Sequence, residues 1–229
     1  DGQKKPGMSD NAFDNNTQGM GNKPPLSGNG PVSGNSVSDN QFNVSESGEE
    51  PKYVDIIDTL PKSSYFSQGF KKDGDKLVYA LNGHQTSLFG IDVSKYNGDI
   101  DWAKVKNAGI KYAMLRVGAR GYSTGKVSID DNFQKNYDGC SSNGIDTGVY
   151  FFSQATNVNE AIEEANYCIA ALNGRSIEYP VVFDSEAVEN DSYRTQNMSA
   201  SELSACAIAF CTTIKSYGYI LMIGGTKKQ

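Results

Sequence analysis

Apolar positions are sparse over residues 1–50 and become regular from Leu88 onward. From there, short apolar runs alternate with stretches whose apolar residues recur at helical spacing. Leu88–Val93 reads as a strand. Asp101 stands as the N-cap of a short helix over Trp102–Ala108, which Gly109 stops. Ile110–Val117 (IKYAMLRV) is a second apolar strand, and Asp130–Asn143 is a helix ending at Gly144. Thr147–Phe152 is a strand, and Asn157–Leu172 is a helix stopped near Gly174. Tyr179–Asp184 (YPVVFD) is a strand with its Pro near the start, where a missing N–H is tolerated. Ser199-Ala200-Ser201-Glu202 is a capping box for a helix running to Ser216, and Tyr219–Ile223 is a fifth strand.

Strands alternating with helices predict βαβ units and a parallel α/β sheet. Near-continuous apolar strands fit a sheet covered on both faces, so an open doubly wound sheet and a barrel both remain open. No G-x-G-x-x-G follows the first strand, which removes support for a dinucleotide fold. Residues 51–88 form a transition region. In it Lys72-Asp73-Gly74-Asp75 marks a turn between Tyr65-Phe66 and Leu77-Val78-Tyr79, as in a small hairpin.

Composition explains the quiet start. Gly, Asn, Ser and Pro fill 27 of the first fifty positions. Such a segment buries too little apolar surface to offset its ordering entropy, so residues 1–50 are expected to be a disordered linker. The net charge is −6, and −4 of it lies in that segment, leaving the rest close to neutral. An acidic pI of about 4.9 without a basic stripe argues against nucleic acid as a partner. No run of 18 apolar residues offers a membrane span. A leader of this composition suits an extracellular or cell-envelope protein, with a signal or anchor upstream.

Four cysteines (Cys140, Cys168, Cys206 and Cys211) include no C-x-x-C pair, and the single histidine, His84, is remote from them. That spacing is poor for zinc, and the simplest reading is four small buried hydrophobes on helices. Catalysis by a Ser-His-Asp or Cys-His set would rest on His84 alone, which sits in a turn-like Asn82-Gly83-His84-Gln85.

Parallel α/β folds place chemistry at the carboxyl ends of their strands. The first strand ends at Asp92, the second near Arg116, the third holds Tyr150 and ends at Ser153, and the fourth ends in Asp184-Ser185-Glu186. Residues i and i+2 of a strand share a face, so Asp184 and Glu186 stand roughly 6.5–7 Å apart. Two like charges that close, in a partly dry site, push one pKa up, which divides a pair into a proton donor and an anion as glycoside cleavage requires. Each residue also has an ordinary reading. Asp184 and Glu186 could be the polar end of a strand, Asp92 a turn cap, Arg116 an ion-pair partner and Tyr150 core. Tyr96, Tyr122 and Tyr193 fall in loops after strand ends, where sugar-stacking rings are expected.

Several motifs in order carry a resemblance. Gly90-Ile91-Asp92-Val93-Ser94 with Gly98-Asp99-Ile100-Asp101-Trp102 resembles the opening of glycoside hydrolase family 25 lysozymes, the N-acetylmuramidases. Ala113–Gly118 is similar to that family's second strand, Asp131-Asn132-Phe133 with Asn136-Tyr137 to its second helix, and Gly148–Ser153 to its third strand. Tyr179–Glu186 resembles its catalytic strand, and Tyr217-Gly218-Tyr219 the entry to the fifth, so the likeness covers about residues 89–223.

The resemblance implies a TIM-like barrel of five βα units and three further strands, over residues 89–229, acting on bacterial peptidoglycan. It implies cleavage of the β-1,4 bond between N-acetylmuramic acid and N-acetylglucosamine by a monomer without metal or cofactor. Glu186 would be the general acid, Asp184 would stabilise a positively charged intermediate such as an oxazolinium ion, and Asp92 would tune both. Tyr150, Arg116, Tyr96 and Tyr122 would bind substrate. After Tyr219 the sequence holds neither the family's last strands nor the acid near their end. An unclosed barrel leaves unpaired edges, so this chain by itself is expected to fold poorly or act weakly. Two other readings stay open: a catalytically impaired relative that holds wall glycan without cutting it, and a metal-assisted hydrolase using Asp92, Asp184 and Glu186 as oxygen ligands.

Overall fold

The structure is a computed structural model that describes residues 41–43, 50–57, 59, 64–74, 76–188 and 192–225. The expected linker, residues 1–50, lies outside the described residues apart from 41–43 and 50. The chain divides into two units, residues 1–56 and 57–229. In the first, β1 (Gln41–Asn43) pairs antiparallel with β2 (Tyr53–Asp55), and Gln41 Nε2 donates to Asp55 Oδ1 at 2.9 Å.

The second unit begins with a small antiparallel sheet of β3 (Phe70–Asp73), β4 (Lys76–Leu81) and β5 (His84–Gln85). The β3–β4 hairpin starts later than the sequence suggests. Tyr65 and Phe66 stay outside it because Phe66 N–H donates to the Tyr79 hydroxyl and the Tyr65 ring meets Tyr79 edge-on at 4.9 Å. His84 opens β5 and is exposed, just after an Asn82-Gly83 turn whose φ angles are 51° and 81°.

The main sheet holds β6 (Gly90–Val93), β7 (Tyr112–Arg120), β8 (Val127–Ile129), β9 (Asp146–Ser153), β10 (Val181–Ser185) and β11 (Leu221–Gly225). Its order is β11-β10-β9-β7-β6, every neighbouring pair parallel, with β8 folded antiparallel onto β7. The five parallel strands are the five apolar runs of the sequence. Most boundaries shift by one or two residues and one moves further: β7 continues past Arg116 to Arg120, because β8 pairs with Gly118–Arg120 and supplies the hydrogen bonds that extend it. Arg116 therefore sits within its strand, just before a bulge at Val117 that bends β7 against β9.

Four helices connect the strands: α1 (Trp102–Asn107), α2 (Phe133–Ser142), α3 (Val158–Leu172) and α4 (Ala200–Ser216). The starts of α1, α3 and α4 follow the sequence signals, whereas α2 begins at Phe133 rather than Asp130, because the Asp130 carboxylate is taken up by Arg116 and by the Lys95 and Asn132 N–H groups. Asp101 accepts from Lys104 N–H, Asn157 accepts from Glu160 N–H, and Ser199 and Glu202 form a reciprocal capping box. Asn173, in the left-handed region at φ 46°, ends α3.

Alternation along the strands separates two faces. Odd-numbered side chains such as Leu115, Val149, Phe151, Val181 and Phe183 are buried. They pack under the helices, as in the Phe183–Phe210 ring contact at 5.2 Å. Ala161, Ala165 and Cys168 keep α3 slim where it meets the sheet, and all four cysteines are buried and unpaired. The helices take one face of the sheet and leave the even-numbered face to the site. Trp102 of α1 lies on α2 at Gly139, where an added Cβ would stand only 2.1 Å from the indole. No helix among the described residues is long and apolar enough to cross a membrane.

Candidate active site

The even-numbered face carries the chemistry. Asp92 of β6 stands opposite Met114 of β7, Arg116 opposite Tyr150 of β9, and Asp184 of β10 opposite Phe152. These side chains, with Glu186 just past the end of β10, line one cleft of about 410 Å³ whose floor includes Val182 and Met222. The three acids singled out in the sequence therefore meet there, joined by Arg116 and Tyr150.

The acids are not equivalent. Burial, then the charge of Glu186, then that of Asp92, push Asp184 up from the usual carboxylate range to about 6. Asp184 is therefore the raised member of the Asp184/Glu186 pair, whereas the resemblance gives the proton donor's role to Glu186. Tyr150 is pushed up to about 12, mainly by burial, so its phenol keeps its proton at neutral pH.

Arg116 is committed before any ligand arrives. Its Nε donates to Asp130 Oδ2 at 2.8 Å, its Nη2 makes an ion-pair contact with the same oxygen at 2.7 Å, and its guanidinium lies 4.8 Å from the centre of the Tyr96 ring. Asp130 is fully buried and also accepts from Lys95 N–H and Asn132 N–H, each at 3.0 Å. One carboxylate thus fixes Arg116 and the turn that carries Tyr96, which is 82% exposed and meets Arg116 but is not among the residues lining the cleft. Tyr122 is not among the residues lining the cleft. Its backbone carbonyl accepts from Arg194 N–H at 3.0 Å.

Sequence reasoning treats Asp130 only as a helix start and passes over Gln154 and Glu164. Glu164 is fully buried on α3, taking Arg120 Nε at 2.7 Å and the Ser153 hydroxyl at 2.6 Å. A charged residue on the sheet-facing side of an apolar helix, with an arginine at the end of an apolar strand, is the one signal that pointed to this pair. Among the described residues no three His, Cys, Asp or Glu side chains are grouped so as to hold a metal ion.

Comparison with known proteins follows the same residues. Residues 91–228 match the profile of the glycosyl hydrolases family 25. The chain belongs to this family. It is similar to Lysozyme M1 of Streptomyces globisporus, with 35% identity over 78 residues, covering 34% of this chain and 24% of that protein. The fold is similar to that of the modular autolysin LytC of Streptococcus pneumoniae, with a TM-score of 0.54 and 20% identity, covering 83% of this chain and 43% of that one. It is also similar to the spore cortex lytic enzyme SleM of Clostridium perfringens, with a TM-score of 0.50 and 22% identity, covering 58% of this chain and 42% of that one. The matched regions thus span less than half the length of each of these relatives.

Proposed function

We propose that this family 25 chain is a glycoside hydrolase of bacterial peptidoglycan, cleaving the β-1,4 bond between N-acetylmuramic acid and N-acetylglucosamine. The observation that carries the proposal is the cleft at the strand ends, where Asp92, Asp184 and Glu186 meet and Asp184 is raised to about 6. Neighbouring carboxyls titrate as a unit, and with Asp184 half-protonated near pH 6 the site holds a proton on the acid side of that value. Bound substrate would fix that proton on Glu186, because an acetamido N–H hydrogen-bonded to Asp184 favours its anion. Glu186 then protonates the glycosidic oxygen. The acetamido oxygen attacks the anomeric carbon as the leaving bond breaks, and Asp184 stabilises the resulting oxazolinium ion. Water, giving its proton to Glu186, opens that ion. Asp92 adjusts the charge on both acids, the Tyr150 phenol donates a hydrogen bond, and Tyr96 offers a ring face to a sugar.

The same proposal assigns residues 89–229 to the catalytic domain, residues 51–88 to a transition region and residues 1–50 to a linker. It takes the finer architecture as five βα units of a barrel that three further strands complete. It places the protein outside the cell or in the envelope, working as a monomer on wall glycan, without nucleic acid as a partner. The relatives' names point the same way, since they describe a lysozyme, an autolysin and a cortex-lytic enzyme.

The test is release of new reducing ends from purified peptidoglycan with a chelator present, by this chain and by a version extended through the three further strands. Glu186→Gln is made in both. Release that disappears in the Gln variants supports the proposal. Tight binding of peptidoglycan without release by either parent overturns it in favour of a wall-binding role, and release that the chelator abolishes overturns the metal-free mechanism.

A further inference from the structure

We infer that Gln154 is a positioning residue that holds Glu186 at the cleft by continuing the β9–β10 ladder with its side chain. The inference rests on the reading of Glu186 as a working acid. The backbone ladder between these strands ends at the Ser153–Ser185 pair. Glu186 is the next residue, so its carbonyl has left the sheet and needs another donor. Gln154 supplies it: its Nε2 donates to the Glu186 carbonyl at 3.1 Å. A carbonyl only accepts, so this contact fixes which end of the amide is which.

One further contact holds the amide, and an anchored arginine holds the backbone that carries it. The Thr195 hydroxyl donates to Gln154 Oε1 at 3.3 Å, and Arg194 Nη1 donates to the Gln154 carbonyl at 3.1 Å. Arg194 is itself anchored, through Nη2, to Glu160 Oε1 at 2.7 Å. Gln154 is 0% exposed, so water does not compete for the amide. A fully buried amide, paired through both its nitrogen and its oxygen at the point where backbone pairing ends, has one evident effect, which is to fix where the chain carries Glu186. Nothing else described at this end of β10 takes the Glu186 carbonyl.

The test compares the chain with Gln154→Glu and Gln154→Met. The first keeps the shape and the acceptor but loses the donor when ionised. The second keeps approximate volume and loses both. Turnover is measured on soluble peptidoglycan fragments across pH, with urea unfolding as a control for folding. Both variants should lose about 10–100-fold in kcat at neutral pH with KM changed less than about two-fold, the size expected for a misplaced catalytic group. Gln154→Glu should regain activity relative to the parent as pH falls, because the introduced carboxyl, once protonated, can donate to the Glu186 carbonyl again. Gln154→Met should show no such recovery.

A second readout needs no turnover. Carboxyl NMR titration of Asp184 should fall by about half a unit in Gln154→Met, because a freed Glu186 carboxylate presses on Asp184 less closely. Activity within two-fold of the parent in both variants, or a kcat loss that follows only the unfolded fraction at every pH, overturns the inference. So does an unchanged Asp184 titration. A parent without muramidase activity is a failure of the proposed function instead, and the titration then decides the role of Gln154 alone.

Discussion

Replacing Asp130 by Asn tests the link between fold and site. The Asp130 carboxylate accepts three hydrogen bonds, one each from Arg116 Nε and the Lys95 and Asn132 backbone N–H groups, and pairs with Arg116 Nη2 at 2.7 Å. An amide of the same shape has one oxygen, so its NH2 group must face either the guanidinium or a backbone N–H. The substitution also leaves Arg116 without its anion. Removing one partner of a buried pair costs about 3–5 kcal/mol. The Arg116 side chain is 13% exposed against 0% for Asp130, so some water reaches the orphaned cation and the lower end, about 3 kcal/mol, applies. For a unit of this size that lowers Tm by about 6–12 °C. Trp102 is the one tryptophan and is buried, so its fluorescence follows urea unfolding directly. Arg116→Met and the double variant complete a cycle. The double variant should cost at least about 2 kcal/mol less than the two single costs added, because each single leaves a charge unpaired. A cost for Asp130→Asn below about 1 kcal/mol, or simple additivity, refutes the reasoning.

Asp184→Asn should stabilise the protein while removing activity, as expected where function and stability oppose each other. The folded pKa of Asp184, about 6, lies above the ordinary 3.8. Below about pH 4 both folded and unfolded chains hold the proton, and the Asn variant gains nothing. As pH rises toward 6 the unfolded chain loses its proton first and the parent loses stability. At pH 8 the Asn variant should lead by about 1–2 kcal/mol, after allowance for solvent at a half-buried group. Urea unfolding at pH 3.5 and pH 8 checks this, and a difference independent of pH sinks it. Gly139→Ala places a methyl against the Trp102 indole. It should cost about 1–3 kcal/mol with a change in Trp fluorescence, and a neutral effect contradicts the packing of α1 on α2.

The five strands, their helices and the acids of the cleft are legible in the sequence for a simple reason. Buried parallel strands are unbroken apolar runs, and a polar residue at the carboxyl end of one, such as Asp92 or Asp184, stands out. Caps are legible because Asp101, Asn157 and Ser199 act through local hydrogen bonds only a few residues long. What could not be read is non-local. β8 is short, and nothing in Val127–Ile129 announces that it folds back to lengthen β7. Asp130 and Glu164 look like ordinary helix residues, because their partners Arg116 and Arg120 lie 14 and 44 positions away. Gln154 matters only where the β9–β10 ladder stops, which is a fact of register. Even the site itself left one question that only its surroundings answer. The spacing of Asp184 and Glu186 calls for one raised acid, and the burial of Asp184 under two neighbouring charges makes it that one.

The most direct measurement of the central claim is the identity of the sugar at each newly cut end. Purified peptidoglycan is digested, reduced with borohydride, hydrolysed and analysed by mass spectrometry, with Glu186→Gln and Asp184→Asn digested in parallel. The account expects reduced N-acetylmuramic acid from the parent and at least about 100-fold less from either variant, the scale of losing a general acid. Reduced N-acetylglucosamine in its place, or undiminished release by the variants, would contradict it.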